Sequence, residues 1–195
     1  MPDRDSEGRL LERASGGDQA AFLELYERHR QPVFRFAYRL LGSMEMAEDI
    51  THDCFLGLIR KPANFDPSRA SLRTYLYGAA RNLVMKQFRS AGRESALDDL
   101  LDDPLVPERE APLRRVLDQE LSAIVKEAVF MLPPLQREAL VLFEYEGLSL
   151  AEIAVVVGSD IGAVKARLHR ARERLRRALQ PYLNSSQEIV TLKEA

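Results

Sequence analysis

Tryptophan is absent from this chain, histidine occurs three times, and cysteine occurs once, at Cys54. A single cysteine excludes an intramolecular disulfide, and inside an apolar helical pattern it reads as a small core residue. His29, His52 and His169 lie far apart with no paired metal-ligand spacing, so no metal site is predicted. There is no glycine-rich phosphate loop, and Cys54 has no evident base. Neither a catalytic activity nor a cofactor is therefore expected. No apolar run reaches transmembrane length, and the opening residues MPDRDSEGRL hold no signal-like apolar segment. The expectation is a cytoplasmic protein without membrane insertion.

What the chain does have is charge, and it is unevenly placed. Charged residues make up 30% of 195 residues, and the formal net charge is only −2. Between Glu94 and Glu120 nine acids stand against three arginines, whereas from Lys165 to Arg177 the balance reverses. Near-neutrality thus hides an acidic middle and a basic C-terminal helix, and the whole-chain charge says little about polyanion binding.

Apolar residues recur at helical spacing in two blocks, and no strand-like alternation or repeat is present, so the predicted fold is all-α. The first block covers 18–93, after a flexible N-terminus at 1–17. Asp18 caps a helix through Phe22, Leu25 and Tyr26. Pro32 is expected to break or kink that helix, which resumes through Phe36 and Leu40 and ends at Gly42. Ser43 opens a second helix with Ile50, Phe55 and Leu58. After the proline-flanked loop around Phe65, Ser71 opens a third, with Tyr75, Leu76 and Phe88. Residues 94–112, with three prolines among the acids, read as a flexible linker. The second block covers 113–183, and 184–195 is expected to be a flexible tail.

The second block holds the most informative pattern. Pro133-Pro134 begins a helix, Gly147 ends it, and Ser149-Leu150-Ala151-Glu152 forms a capping box for the next. Gly158 permits the left-handed backbone of a sharp turn, and Ser159 or Asp160 caps the following helix. In that helix Val164, Leu168, Ala171 and Leu175 make one apolar stripe. Arg167, Arg170, Arg174 and Arg177 make another face. A charge run is usually only a solvated face. Here it follows a glycine turn and a short capped helix, which is the order of a helix-turn-helix that reads DNA.

These motifs, taken together, resemble the bacterial sigma-70 family of RNA polymerase sigma factors, in its extracytoplasmic-function (ECF) group. The resemblance rests on two stretches. The first is Ala47-Glu48-Asp49-Ile50 with Asp53, Phe55-Leu56 and Arg81-Asn82-Leu83. The second is Leu132-Pro133-Pro134, Gly147-Leu148-Ser149, Ala151-Glu152-Ile153-Ala154, Gly158 and the run Val164 to Arg172. It implies that the first block is sigma domain 2 and the second is sigma domain 4. It also implies three partners: core RNA polymerase through its β′ and β subunits, promoter DNA, and an anti-sigma factor.

The resemblance distributes the work as follows. Glu48, Asp49, Asp53, Phe55 and Leu56 would dock on a polymerase β′ coiled coil, although the local residues alone suit a solvated face equally well. Phe65, Arg73, Tyr75, Arg81, Asn82, Lys86 and Arg89 would meet the −10 element, with Tyr77 a further candidate stacking platform. By helical spacing alone, Tyr75 reads rather as core. Ser159, Ala163, Lys165, Ala166, Arg167, Arg170 and Arg174 would meet the −35 element in the major groove. The acidic linker would thread the polymerase cleft as a nucleic-acid mimic, or serve as a plain spacer. The chain departs from the family's common pattern at His52-Asp53, Tyr75 and Lys86, which bears on promoter preference and melting. A helix-turn-helix regulator that never joins the polymerase is the alternative reading.

Overall fold

A computed structural model describes the backbone of residues 4–90 and 119–193, and every described element is helical. The expected linker at 94–112 lies outside the described residues. In chain order the elements are α1 (Arg4–Ser15), α2 (Gln19–Leu41), α3 (Met44–Arg60), a short 3-10 turn (Pro62–Asn64) and α4 (Leu72–Ser90). Then come α5 (Gln119–Phe130), α6 (Pro134–Leu140), which runs on into a π turn at Val141–Tyr145, α7 (Leu150–Val157) and α8 (Ile161–Lys193).

The start signals act as the sequence predicts. Asp18 accepts from the Ala20 and Ala21 amides, Ser43 from the Met46 amide, and the Ser71 hydroxyl from the Thr74 amide. Gly42 closes α2 at φ 73°, a left-handed conformation that favours glycine. A Cβ there would also sit 2.7 Å from the Phe130 ring. Leu25, Phe36, Leu40, Phe55, Leu58, Leu72 and Leu76 form the first block's core, with the Phe36 and Tyr77 rings edge to face at 5.3 Å.

Three expectations need correction. Residues 4–15 of the supposed flexible N-terminus form α1, which buries Leu10, Leu11 and Ala14. The Glu7 carboxylate lies 3.0 Å from the His29 ring nitrogen, and both side chains are buried. Only three closely spaced apolar residues hold α1 down, too few to stand out among its charges. Pro32 does not break α2, which stays continuous to Leu41. Proline forfeits one backbone bond, and Leu25, Val33, Phe36 and Leu40 bury the helix on both sides of it. Lastly, α8 continues as helix through Lys193, into the residues expected to be a loose tail.

In the second block Ser149 and Glu152 complete the capping box: the Ser149 hydroxyl accepts from the Glu152 amide, and the Ser149 amide donates 2.9 Å to the Glu152 carboxylate. Gly158 adopts φ 63° and carries the turn into α8, where the Asp160 carboxylate accepts from the Ala163 amide at 2.8 Å. Ile153, Val164, Leu168, Ala171 and Leu175 are buried beneath this pair of helices. Ser149→Ala removes the hydroxyl half of the box and should cost about 1 kcal/mol. Urea unfolding followed by circular dichroism checks this, and Ser149→Asn should restore most of the loss.

Candidate nucleic-acid interface

The helix-turn-helix comprises α7, the Gly158 turn and the start of α8. Along α8 the apolar stripe faces inward, as its spacing dictates, and the other faces divide. Lys165, Arg174, Arg176 and Arg177 are exposed. Ser159, Ala163, Ala166 and Arg170 are half-buried. Arg172 pairs with Glu144 at 3.1 Å and lies over the Phe143 ring, and Arg176 pairs with Glu173. Asp160 leaves one carboxylate at the N-terminus of α8.

Arg167 is placed differently from the expectation. Its side chain is only 10% exposed and its Nη1 lies 3.4 Å from the Glu138 carboxylate of α6. Arg81, from the first block, reaches the same carboxylate side-on, Nε at 2.8 Å and Nη2 at 3.3 Å. Arg81 and Arg167, two of the arginines expected to meet DNA, are thus turned onto one fully buried acid in this arrangement. Burial pushes the Glu138 carboxyl up and the Arg167 guanidinium down. The contacts between them and with Arg81 offset that desolvation.

A second buried acid does similar work. The Glu146 carboxylate accepts from Arg39 Nη1 at 3.0 Å and from the Tyr77 hydroxyl at 2.6 Å, and the Glu146 carbonyl accepts from Arg73. Tyr77 is therefore not a base platform: it is fully buried, and burial together with Glu146 pushes its phenol well above the ordinary range. Arg137 adds a third tie, donating 2.6 Å to the Leu40 carbonyl and 2.9 Å to the Leu132 carbonyl. Glu138, Glu146, Arg137 and Arg39 were not singled out from the sequence. The available signal was Gln136-Arg137-Glu138, three polar residues in a row inside an apolar helix, all of them buried.

The first block contributes a cleft of about 440 Å³ between the 3-10 turn and α4. Phe65, Tyr75 and Asn82 line it together, with their neighbours Asn64 and Arg69. The Phe65 and Tyr75 rings meet edge to face at 5.6 Å, and burial raises the Tyr75 phenol. Asp66 is locked by Ser68, whose amide and hydroxyl donate to it at 2.9 and 2.7 Å and hold its carboxyl below the usual range. An aromatic pair beside two amide side chains can stack on an unpaired base and bond its edge. The far wall of this cleft is Val155 and Val156 of α7. Lys86 and Arg89 lie exposed further along α4.

On α3, Glu48, Asp49, Asp53 and Leu56 are exposed, and together they form an acidic face with one apolar member. Phe55 does not belong to that face. It is 2% exposed and packs on Tyr26 at 4.9 Å, because it shares a helix side with Ala47, Ile50, Thr51 and Leu58. Among the described residues no three His, Cys, Asp or Glu side chains converge as metal ligands would, and no helix is long and apolar enough to cross a membrane.

Comparison with known proteins places these features in context. Residues 25–94 match the family model described as Sigma-70 region 2, and residues 122–175 the one described as Sigma-70, region 4. The chain is 30% identical to the RNA polymerase sigma-H factor of Pseudomonas aeruginosa, over 95% of this chain and 100% of that protein. It is 30% identical to the ECF RNA polymerase sigma factor SigW of Bacillus subtilis, over 88% and 96%. Identity is 36% to the ECF RNA polymerase sigma factor SigE of Mycolicibacterium smegmatis, over 82% of this chain and 63% of that protein, so the chain spans less than two thirds of that relative. Among solved structures, the sigma factor RpoE in complex with the anti-sigma factor NepR from Bartonella quintana aligns with TM-score 0.61 and 30% identity, covering 82% of this chain and 96% of that one. CnrH in complex with the cytosolic domain of CnrY aligns with TM-score 0.65 and 25% identity, covering 92% and 99%.

Burial on α3 predicts opposite outcomes at adjacent positions. Phe55→Ala should lower stability by about 3–5 kcal/mol through cavity formation. Leu56→Ala should change it by about 0.5 kcal/mol or less. Chemical unfolding of the two variants checks the pair.

Proposed function

The chain belongs to the extracytoplasmic-function group of sigma-70 factors, and from that premise we propose that it binds core RNA polymerase, reads −35 and −10 promoter elements and starts transcription. One observation carries the reading. A capped helix-turn-helix with an exposed basic face is tethered to a block that bears both an acidic exposed helix face and an aromatic–amide cleft. A simple DNA-binding regulator needs only the first of these.

The parts divide the labour by chemistry. Glu48, Asp49 and Asp53, with Leu56 among them, suit a partner helix carrying arginines, and a β′ coiled coil of the polymerase is the proposed one. The N-terminal part of α8 enters the major groove at the −35 element, where Lys165 and Arg170 supply cationic donors and Ala163 and Ala166 leave room for close approach. Phe65, Tyr75 and Asn82 take up an unpaired base of the −10 element, with Arg73, Lys86 and Arg89 attracting the backbone. The catalytic centre for RNA synthesis then belongs to the polymerase, and this chain is not an enzyme. An anti-sigma factor is a further proposed partner, because the two solved relatives above are each held in a complex with another protein.

The deciding measurement is transcription in vitro with purified core polymerase and candidate promoters. Promoter-dependent RNA is expected only when the chain is added; stable DNA binding with no capture of core would instead establish a helix-turn-helix regulator. Lys165→Ala with Arg170→Ala should weaken open-complex formation by about 1–3 kcal/mol for each side chain that bonds a base edge. Asp49→Lys with Asp53→Lys should reduce core capture in a pull-down while leaving the thermal melt of the free chain nearly unchanged.

A further inference from the structure

The reading end of α8 has few groups with which to tell one base from another. Arg167 is turned inward onto Glu138 of its own block. Ala163 and Ala166 offer no hydrogen bond from their side chains. Lys165 and Arg170 only donate, so they can meet guanine O6 and N7 or a phosphate, but they cannot recognise a base by its amino group. The only acid between Gly158 and His169 is Asp160, at the very start of the helix.

Asp160 is exposed, and its carboxylate is already fixed in place. Its Oδ1 accepts from the Ala163 amide at 2.8 Å, while its carbonyl accepts from the Val164 amide at 3.2 Å. Gly162 leaves the space that this carboxylate needs: a Cβ there would lie 2.9 Å from the same Oδ1. Among the described residues Oδ2 has no hydrogen-bond partner. A cap does not require the charge, because serine or asparagine serves equally well, and beside DNA phosphates a carboxylate is repelled. A preset acceptor at the tip of a groove-entering helix offsets that repulsion only where it meets an amino group.

We propose that Asp160 is a specificity-determining residue that accepts a hydrogen bond from a cytosine N4 amino group in the −35 element. The inference rests on the promoter-reading role of α8 given above and names one base of its target. Guanine and thymine present acceptors to the major groove and repel a carboxylate. Adenine N6 lies between two acceptors, its own N7 and the paired thymine O4. Cytosine N4 has an acceptor on one side only, the guanine O6, so it is the donor that a carboxylate reaches with least repulsion.

The test selects sequences. Duplexes carrying a fully randomised segment are captured by the chain bound to core polymerase, and separately by the chain alone, and are then sequenced. The wild-type chain should enrich cytosine by about fivefold at one position, the low end of the range for a base-edge pair. Asp160→Ser and Asp160→Asn both keep the cap, so their thermal melts should stay nearly unchanged. Asp160→Ser should abolish the cytosine preference at that position and leave its neighbours as they were. Asp160→Asn should replace it by adenine, whose N6 and N7 an amide can bond together. The proposal is overturned if no position favours cytosine, if the preference survives in both variants, or if both variants merely bind every sequence more tightly. That last result would make Asp160 a cap that repels phosphates and nothing more. Loss of promoter-dependent transcription with core, while the chain alone still selects cytosine through Asp160, overturns the sigma reading instead.

Discussion

A carboxylate without solvent is the constraint around which the contact between the two blocks is organised. Taking Glu138 out of water costs several kcal/mol in any realistic protein interior, and only close, well-aligned cations recover it. Arg167 alone, at 3.4 Å through one nitrogen, is a weak partner. Arg81 meets both oxygens side-on and completes the shell. The second block therefore has an unmet charge unless the first block is in place. Glu146 repeats the logic with Arg39 and Tyr77. The contact between the two helical bundles thus combines the shared solvation of two acids with an apolar core that runs through both.

The caps and the turn of the helix-turn-helix, by contrast, are made within its own residues. Ser149 and Glu152 satisfy orphan amides within four positions, Gly158 supplies a backbone conformation that other residues adopt at a cost, and Asp160 caps the next helix. Such devices are written in local sequence and are legible there. So were the caps at Asp18, Ser43 and Ser71, the left-handed Gly42, and the buried stripe of α8. The joint lining of one cleft by Phe65, Tyr75 and Asn82, 17 positions apart at most, was legible in part, because loop and helix are neighbours in the chain.

Burial phase and long-range pairing were harder to read. Phe55 sits one position from the exposed Leu56, and an acidic–apolar cluster of residues does not say which apolar member turns inward; only the phase shared with Ala47, Thr51 and Leu58 does. Tyr77 and Arg81 were assigned to DNA because aromatic and basic residues on one helix suit it. Their partners lie 69 and 57 positions away, and no periodicity within either block points across that interval. Arg167 was read as one of four arginines on a face. Glu138, which distinguishes it from the other three, precedes it by 29 positions. The N-terminal helix was missed because its anchors, Leu10, Leu11 and Ala14, are few and its tie to His29 is polar.

The chemistry of the seam also bears on whether it can open. An interface built from large apolar faces, once separated, would expose surface that water disfavours and that invites aggregation. This seam mixes the two kinds of contact: Val155 and Val156 beside α4 and Phe130 against Gly42 are apolar, and beside them lie guanidinium, carboxylate and phenol groups. Each of those groups finds its hydrogen-bond partner across the seam, so parting the blocks would leave the Glu138 and Glu146 carboxylates to be met by water. Polar interfaces between domains of one chain behave as transient ones for this reason. The same buried acids thus make the contact between the blocks specific, because each needs a particular partner across it.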